Sequence, residues 1–195
     1  LRPSSHLAVE PHAWTGPRQA LVIGAGLSGS AVAYSLATRG WAVTVIDQAD
    51  GPGAGASGLP AGLAAPHVSP DDNVLSRITR AGVRATLARA QALLQSGTDW
   101  ALSGVLEHNL AGKRKLPSGE RATSDGAHSG TDDPLAMTSP ASAAQIAAAG
   151  LPPDTPALWH GHAGWVRPRQ LVTAQLKTPG VQVRWGQKVQ TLARR

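Results

Sequence analysis

The chain has 195 residues, with 18 Lys and Arg against 12 Asp and Glu and a formal net charge of +6. This length fits one ordinary domain or part of a larger protein. No Cys is present, which excludes a disulfide scaffold, a thiolate zinc site and a cysteine nucleophile and is compatible with a reducing cytoplasm. Much of the 42% hydrophobic content is Ala, so we expect a modest core with long loops.

Residues 1–18 hold three prolines and show no periodic pattern, which is typical of a linker that leads from an upstream domain. The only methionine is Met137, so we expect that Leu1 is not the natural start. Residues 19–38 carry no charge, but Gly, Ser and Ala make this stretch only weakly hydrophobic. We therefore expect no membrane span.

The next segment has the pattern of a strand, a helix and a second strand. Ala20–Ile23 is a short apolar run that predicts a strand buried on both faces of a parallel sheet. Leu27–Arg39 is predicted to be a helix closed by Gly40, and Trp41–Ile46 a second strand that ends at Asp47.

A glycine pattern connects the first strand to the helix, in the run Gly24-Ala-Gly26-Leu27-Ser28-Gly29. In a dinucleotide-binding fold, the first glycine allows the tight turn, the second lets the backbone approach a pyrophosphate, and the third lets helix and strand pack closely. The helix N-terminus favours the anion. Asp47, 23 residues after Gly24, is placed to accept from ribose hydroxyls and would repel a 2'-phosphate. The alternative is a loop that merely packs small residues.

A second glycine-rich run, Gly55–Gly62, lies in a predicted long loop at 50–66. Its small residues would let the backbone lie against a flat ring, and Ser57 could donate to a phosphate or a flavin edge. The alternative is a flexible linker.

The remainder of the chain gives weaker patterns. We predict a helix over Asn73–Gln95 with an N-cap near Asn73, a short strand over Ser103–Leu106, and an exposed polar insertion at 111–133. Further elements are predicted near the C-terminal end of the chain. These are a helix from Ser139-Pro140 to Gly150, a helix over Gln170–Lys177 opened by Pro168, and a hairpin of Val181–Trp185 with Lys188–Leu192.

Taken together, four sequence segments resemble one family. They are GAGLSGSAVAYSLATRGWAVTVID, GASGLPAGLAAPHVSPDDNVLSRITRAGV, SGVLE and GWVRP. They are similar to the FAD-dependent oxidoreductase domain of bifunctional tRNA 5-methylaminomethyl-2-thiouridine biosynthesis proteins, within the D-amino-acid-oxidase and glycine-oxidase superfamily. The likeness covers about residues 19–110 and 157–192.

The resemblance implies an α/β fold, with a Rossmann-like FAD-binding βαβ domain and part of an α+β substrate domain. It places the FAD-binding unit and its following helix at 19–110, the insertion at 111–133, and a partial substrate domain with strands that return to the FAD domain at 134–195. Family members continue well past this point, so the domain is expected to be truncated at its C-terminus.

The activity implied by the resemblance is oxidation of the carboxymethylaminomethyl group on the wobble uridine of tRNA, which leaves an aminomethyl group and glyoxylate. A neighbouring S-adenosylmethionine-dependent methyltransferase domain would then methylate the amine, and the protein would be cytoplasmic. Two alternatives stay open. One is a small-molecule amine or amino-acid oxidase of the glycine-oxidase type, and the other is a truncated, non-catalytic nucleotide- or RNA-binding remnant.

The resemblance also implies which residues bind FAD. The glycines would hold the pyrophosphate and Asp47 the adenosine ribose. The second run would lie on the flavin side, and Val189 would meet adenine through its backbone. The expected cofactor-binding residues are Gly24, Gly26, Leu27, Ser28, Gly29, Asp47, Ala56, Ser57, Ala61, Gly62 and Val189.

Several other residues leave two interpretations. His67 is a candidate to face the flavin, and Trp165 would either line the substrate cavity or belong to the core. Arg77, Arg80 and Arg84 share one helix face, either as phosphate contacts for tRNA or as a solvated surface. His160 and His162 lack a Cys or carboxylate at metal-ligand spacing, so we expect no metal.

Overall fold

The structure of the protein is a computed structural model that describes residues 15–108 and 137–193. The predicted insertion at 111–133 and most of the predicted linker at 1–18 lie outside these residues. In the described ranges, no helix has the length and apolar character needed to cross a membrane.

The regular elements follow one another along the chain in alternating groups. In chain order they are β1 (Gln19–Ile23), α1 (Leu27–Ala37), β2 (Ala42–Ile46), β3 (Gly62–Ala64), α2 (Val74–Leu93), β4 (Trp100–Ala101), β5 (Val105–His108), β6 (Thr138–Pro140), α3 (Ala143–Ala148), β7 (Ala157–His160), β8 (Gly164–Val166), α4 (Pro168–Leu176) and β9 (Val181–Arg184).

The first sheet is parallel, with the strand order β1-β2-β9. Helices α1 and α4 pack against one face of it. Alternate side chains such as Val43, Val45 and Val183 point into this layer and form a core with Val172 and Leu176 of α4. The predicted strand–helix–strand unit is therefore confirmed, with α1 ending two residues before the predicted Arg39.

The expectation that β1 is buried on both faces is wrong within the described residues. Leu21 and Ile23 point away from the helices and are 56% and 51% exposed, whereas Ala20 and Val22 on the same strand face the core. A run of consecutive apolar residues predicts two covered faces, but both described helices that pack on this sheet lie on the same side.

A second, small antiparallel sheet has the order β3-β8-β4 and packs against α2. Helix α2 begins as predicted, because Asn73 Oδ1 accepts from the amide of Ser76 at 3.1 Å. Its buried positions recur at helical spacing and include Val83, Leu87 and Ala90. Strand β3 falls inside the predicted loop at 50–66. The many Gly and Pro residues of that segment predicted a loop and gave no sign of a short strand.

The third sheet, β5-β7-β6, is antiparallel. His160 ends its central strand β7, and its Nδ1 lies 2.9 Å from Thr138 Oγ1 and its Nε2 3.1 Å from Glu107 Oε2. The imidazole is 1% exposed. Its two polar contacts therefore join all three strands of this sheet.

Two predictions for the later part of the chain are wrong. Ser139-Pro140 lies in β6, and α3 starts after Ser142, which forms a capping box with Gln145. The predicted hairpin of Val181–Trp185 with Lys188–Leu192 is absent. Instead β9 pairs with β2, and the amide of Gln187 donates to the carbonyl of Asp47 at 2.9 Å, which directs the chain away from a hairpin.

Candidate nucleotide-binding site

The glycine loop lies at the carboxyl edge of the parallel sheet, between β1 and α1. Gly24 has a φ of +96° and its amide donates to the carbonyl of Ile46 at 2.8 Å, which ties the loop to the end of β2. A Cβ at Gly29 would lie 1.8 Å from the carbonyl oxygen of Gly24. Only glycine at position 29 lets the helix approach the strand end so closely.

Asp47 turns its carboxylate toward this loop. Oδ2 accepts from the amide of Ala25 at 2.6 Å, and Oδ1 accepts from the amide of Ala49 at 2.8 Å. A carboxylate offers about four lone-pair directions, so each oxygen keeps capacity for a further donor such as a ribose hydroxyl. Asp47, which was predicted from its spacing to Gly24, thus lies beside the glycine loop.

Ser57 brings the second glycine-rich run onto the start of α1. Its Oγ accepts from the amide of Leu27 at 3.1 Å, and it lies 3.1 Å from the place where a Cβ on Gly26 would sit. The first amides of a helix have no intrahelical partner and attract anions. Ser57 therefore shares the helix N-terminus with any phosphate group bound there and keeps its hydroxyl proton to donate.

The N-terminus of α4 supports the loop that carries Ser57. A Cβ on Gly53 would lie 3.3 Å from Arg169 Cα and 2.9 Å from the Ser57 carbonyl, and a Cβ on Gly62 would lie 3.3 Å from Pro168 Cγ. This support joins segments more than a hundred residues apart. No local pattern in the sequence points to it, and sequence reasoning missed it.

The remaining expected cofactor residues differ in their surroundings. Ser28, Ala56 and Ala61 are exposed, whereas Leu27 is half-buried and packs against both hydrophobic cores. Val189 is half-buried and follows β9 in a segment without strand structure. The glycines, Asp47 and Ser57 are brought together, and nothing places Val189 with them.

Residues that fit a dinucleotide thus converge at the carboxyl end of the sheet. Three positions of the loop, glycines 24, 26 and 29, carry no side chain, the loop leads into the N-terminus of α1, and the Asp47 carboxylate borders it. A separate concavity of about 750 Å³ lies on the open face near the strand starts, with Gln19, Ala42 and Gly180 in its lining. We do not assign the nucleotide to it, because ligands of open α/β sheets bind at the carboxyl ends of the strands.

The arginines of α2 are mostly engaged by the protein itself. Arg80 is 6% exposed, and its guanidinium forms a two-point ion pair with Asp72 at 2.5 and 3.0 Å. Arg84 contacts Met137 Sδ at 3.7 Å. Arg80 and Arg84 therefore form neither a phosphate-contact stripe nor a solvated face, since their long side chains reach neighbouring elements, whereas Arg77 is exposed as a solvated face would require.

Arg89, near the same face, lies 3.8 Å above the ring of Tyr34 and donates to Gln175 Oε1 at 3.1 Å. Gln175 in turn donates to Ser30 at 3.3 Å. These contacts join α1, α2 and α4 behind the glycine loop.

Trp165 is half-buried on β8, opposite Leu63 of β3, and lies outside both hydrophobic cores. The interpretation of Trp165 as a core residue is therefore not supported by its packing. Leu63 beside it is 74% exposed.

Curated relatives match nearly the whole chain. It is 52% identical over 181 residues to the tRNA 5-methylaminomethyl-2-thiouridine biosynthesis bifunctional protein MnmC of Delftia acidovorans, a match that covers 90% of this chain and 26% of the relative. A protein of the same name from a Polaromonas species is 57% identical over 162 residues, covering 83% and 24%. The chain spans about a quarter of the length of these relatives.

Solved structures share the fold at low identity. Glycine oxidase from Geobacillus kaustophilus superposes with a TM-score of 0.55 at 17% identity, over 87% of this chain and 46% of that one. L-proline dehydrogenase from P. horikoshii gives a TM-score of 0.61 at 19% identity, over 89% and 45%. At these identities the likeness is one of fold.

The family model described as FAD dependent oxidoreductase matches residues 19–195, from the first residue of β1 onward. It includes the glycine loop, Asp47 and the Ser57 loop that the fold assembles at one edge of the sheet. The chain therefore belongs to the FAD-dependent oxidoreductase family whose cofactor fits the cradle described above.

Proposed function

We propose that this chain is the flavin-binding part of a tRNA-modifying enzyme that oxidises the carboxymethylaminomethyl group of wobble uridine. A two-electron oxidation of the C–N bond of the carboxymethyl arm, followed by addition of water, would break that bond, leaving an aminomethyl group on the uridine and releasing glyoxylate. The observation that carries the proposal is the cradle of the glycine loop, Asp47 and Ser57, in a chain about half identical to proteins named for this tRNA modification.

The residues of the cradle have distinct proposed roles. The amides around Gly24, Gly26 and Gly29 would hold the pyrophosphate of FAD, and Asp47 would accept from the adenosine ribose. Bound FAD would supply the two-electron acceptor for amine oxidation.

Ser57 sits between the two glycine runs and would donate its hydroxyl proton to a phosphate oxygen while it accepts from Leu27. Ala56, Ala61 and Gly62 would line the flavin side, where the absence of large side chains admits a flat ring. Val189 would meet adenine.

Two partners belong to the same proposal. One is tRNA, for which the net charge of +6 is favourable. The other is a neighbouring methyltransferase domain, since the relatives are named as bifunctional proteins. That domain would methylate the aminomethyl product with S-adenosylmethionine.

The test is incubation of FAD-loaded protein with tRNA that carries the carboxymethylaminomethyl group, followed by mass analysis of the nucleosides. The expected result is loss of the carboxymethyl mass from the wobble uridine and one glyoxylate per uridine converted. Peroxide formation with glycine or sarcosine, and none with the tRNA, would replace this proposal with a small-molecule oxidase. Flavin-containing protein that leaves both unchanged would refute an oxidase role.

A further inference from the structure

His67 is held in one orientation by the start of α2. Its backbone amide donates to Thr79 Oγ1 at 3.0 Å, and its ring Nδ1 lies 3.2 Å from Ser76 Oγ. The residue is half-buried. Both its backbone and the Nδ1 edge of its imidazole are thus fixed to the same helix, while Nε2 has no hydrogen-bond partner within the described residues.

A buried hydroxyl chain continues from Nδ1 into the protein. Ser76 Oγ lies 2.9 Å from Ser69 Oγ, and Ser69 Oγ accepts from the amide of Asn73 at 3.1 Å. Ser76 and Ser69 are 1% and 7% exposed. When Ser76 donates to Ser69, Nδ1–H of His67 donates to Ser76, and Nε2 is left as a lone-pair acceptor. In that arrangement Nε2 can accept a proton while the hydrogen bonds among His67, Ser76 and Ser69 stay as they are.

His67 also lies close in sequence to the expected flavin side. It is five residues beyond Gly62, in the loop that leads from β3 to α2. Strand β3 carries Leu63, which is 74% exposed on the same side of the small sheet as Trp165. The loop therefore leaves the flavin-side segment and returns to α2 with an oriented imidazole.

The proposed substrate has a proton that must leave before oxidation. Its secondary amine is an ammonium near neutral pH, as the pKa of about 10.4 for a lysine amine illustrates. An ammonium nitrogen has no lone pair to release electrons, so only the neutral amine can be oxidised. A base at the site therefore has a defined task.

We infer that His67 is this base and accepts the ammonium proton at Nε2, an inference that rests on the proposed function. The N–H bond of the ammonium breaks and an N–H bond forms at Nε2, so one proton moves and the amine keeps the electron pair. Ser76 acts as a positioning residue, because its hydroxyl contacts the ring at Nδ1 and, when it donates to Ser69, leaves Nε2 as the acceptor.

Among the described residues, no charged side chain on the elements around His67 forms a hydrogen bond with its Nε2. The loop after His67 carries Asp71 and Asp72, and the facing helix carries Arg77, Arg80 and Arg84. Asp72 and Arg80 neutralise each other in an ion pair.

The first measurement needs no activity. Nitrogen-15 chemical shifts of the imidazole distinguish the two tautomers in the chain as it exists. Wild type is expected to hold the proton on Nδ1, with a shift toward the other tautomer in Ser76→Ala. A wild-type His67 that holds its neutral-form proton on Nε2 would overturn the inference, since that nitrogen could then accept nothing.

The second measurement is the pH dependence of kcat/KM for the modified tRNA, with His67→Asn compared with His162→Asn, an exposed histidine elsewhere. We expect His67→Asn to lose at least tenfold near neutral pH and to recover as the pH approaches that of amine deprotonation, at unchanged FAD content. His162→Asn should match wild type. Unchanged rate and profile in His67→Asn would refute the inference alone, whereas a wild type that holds FAD but leaves the tRNA unaltered would remove both it and the proposed function.

Discussion

At the scale of single residues, the glycine loop shows which positions tolerate a side chain. Gly29 has no room for a Cβ, because one would lie 1.8 Å from the Gly24 carbonyl oxygen. Gly82, in the exposed middle of α2, has nothing within 4 Å of the same position. Gly29 and Gly82 therefore form a matched pair, one without space for a Cβ and one with open space around it.

Gly29→Ala is expected to lower the free energy of unfolding by about 1–3 kcal/mol, because α1 must move away from the end of β1. FAD binding should weaken with it. Gly82→Ala should raise that free energy by about 0.5–1 kcal/mol, because alanine reduces the entropy lost by a helix interior. Urea unfolding of both variants checks this pair, and equal stabilities would contradict the close packing at Gly29.

The glycines and Asp47 could be predicted from sequence because their constraints are local. Strand, turn and helix lie within the 19 residues from Gln19 to Ala37, and the acid follows at the end of the next strand. Ser57 was singled out from its glycine-rich run, but its contact with Leu27 spans 30 residues and is visible only once the loop folds back.

At the scale of elements, the start of α2 is fixed by polar contacts as well as by packing. Asn73 caps the helix, and Asp72, which has a φ of +45°, pairs with the buried Arg80. This corner precedes the helix that carries Ser76 and Thr79, so its order also fixes His67.

Arg80→Met and Asp72→Asn are each expected to lower the free energy of unfolding. The loss should be about 3 kcal/mol for Asp72→Asn, because it leaves the charge of the more buried Arg80 without its partner. Asn tolerates the positive φ of Asp72, so that variant isolates the charge. The double variant should cost less than the sum of the two single changes. Additive losses in a urea double-mutant cycle would show that the pair is not coupled.

The elements that sequence reasoning missed are those set by distant partners. Strand β9 alternates at period two, as a hairpin strand would, yet it completes the parallel sheet beside β2, about 140 residues earlier in the chain. Strands β7 and β8 are four and three residues long and are separated by one three-residue turn, so their pairing rather than their composition defines them.

At the scale of the whole molecule, one face of the parallel sheet is open in the part of the chain that the structure describes. Leu21 and Ile23 are more than half exposed there. Apolar surface of this kind favours association, and parallel sheets normally have both faces covered.

This chain alone is therefore expected to self-associate as its concentration rises and to bind a hydrophobic dye such as ANS. A Leu21→Gln, Ile23→Gln double variant should reduce both effects while keeping the free energy of unfolding within about 0.5 kcal/mol of wild type, because these side chains are already exposed. Sedimentation velocity and dye fluorescence measure the two effects. Unchanged association in the double variant would show that another surface is responsible.

The most direct test of the central claim is the affinity of the chain for FAD, measured by titration of the flavin fluorescence. Gly26 has a φ of −82° and a ψ of −170°, which any residue adopts, so Gly26→Val adds bulk beside Ser57 without straining the backbone. The exposed Arg77→Ala is the control. We predict that wild type and Arg77→Ala bind FAD alike and that Gly26→Val binds at least tenfold more weakly, whereas equal affinity in Gly26→Val would contradict the assignment of the glycine loop.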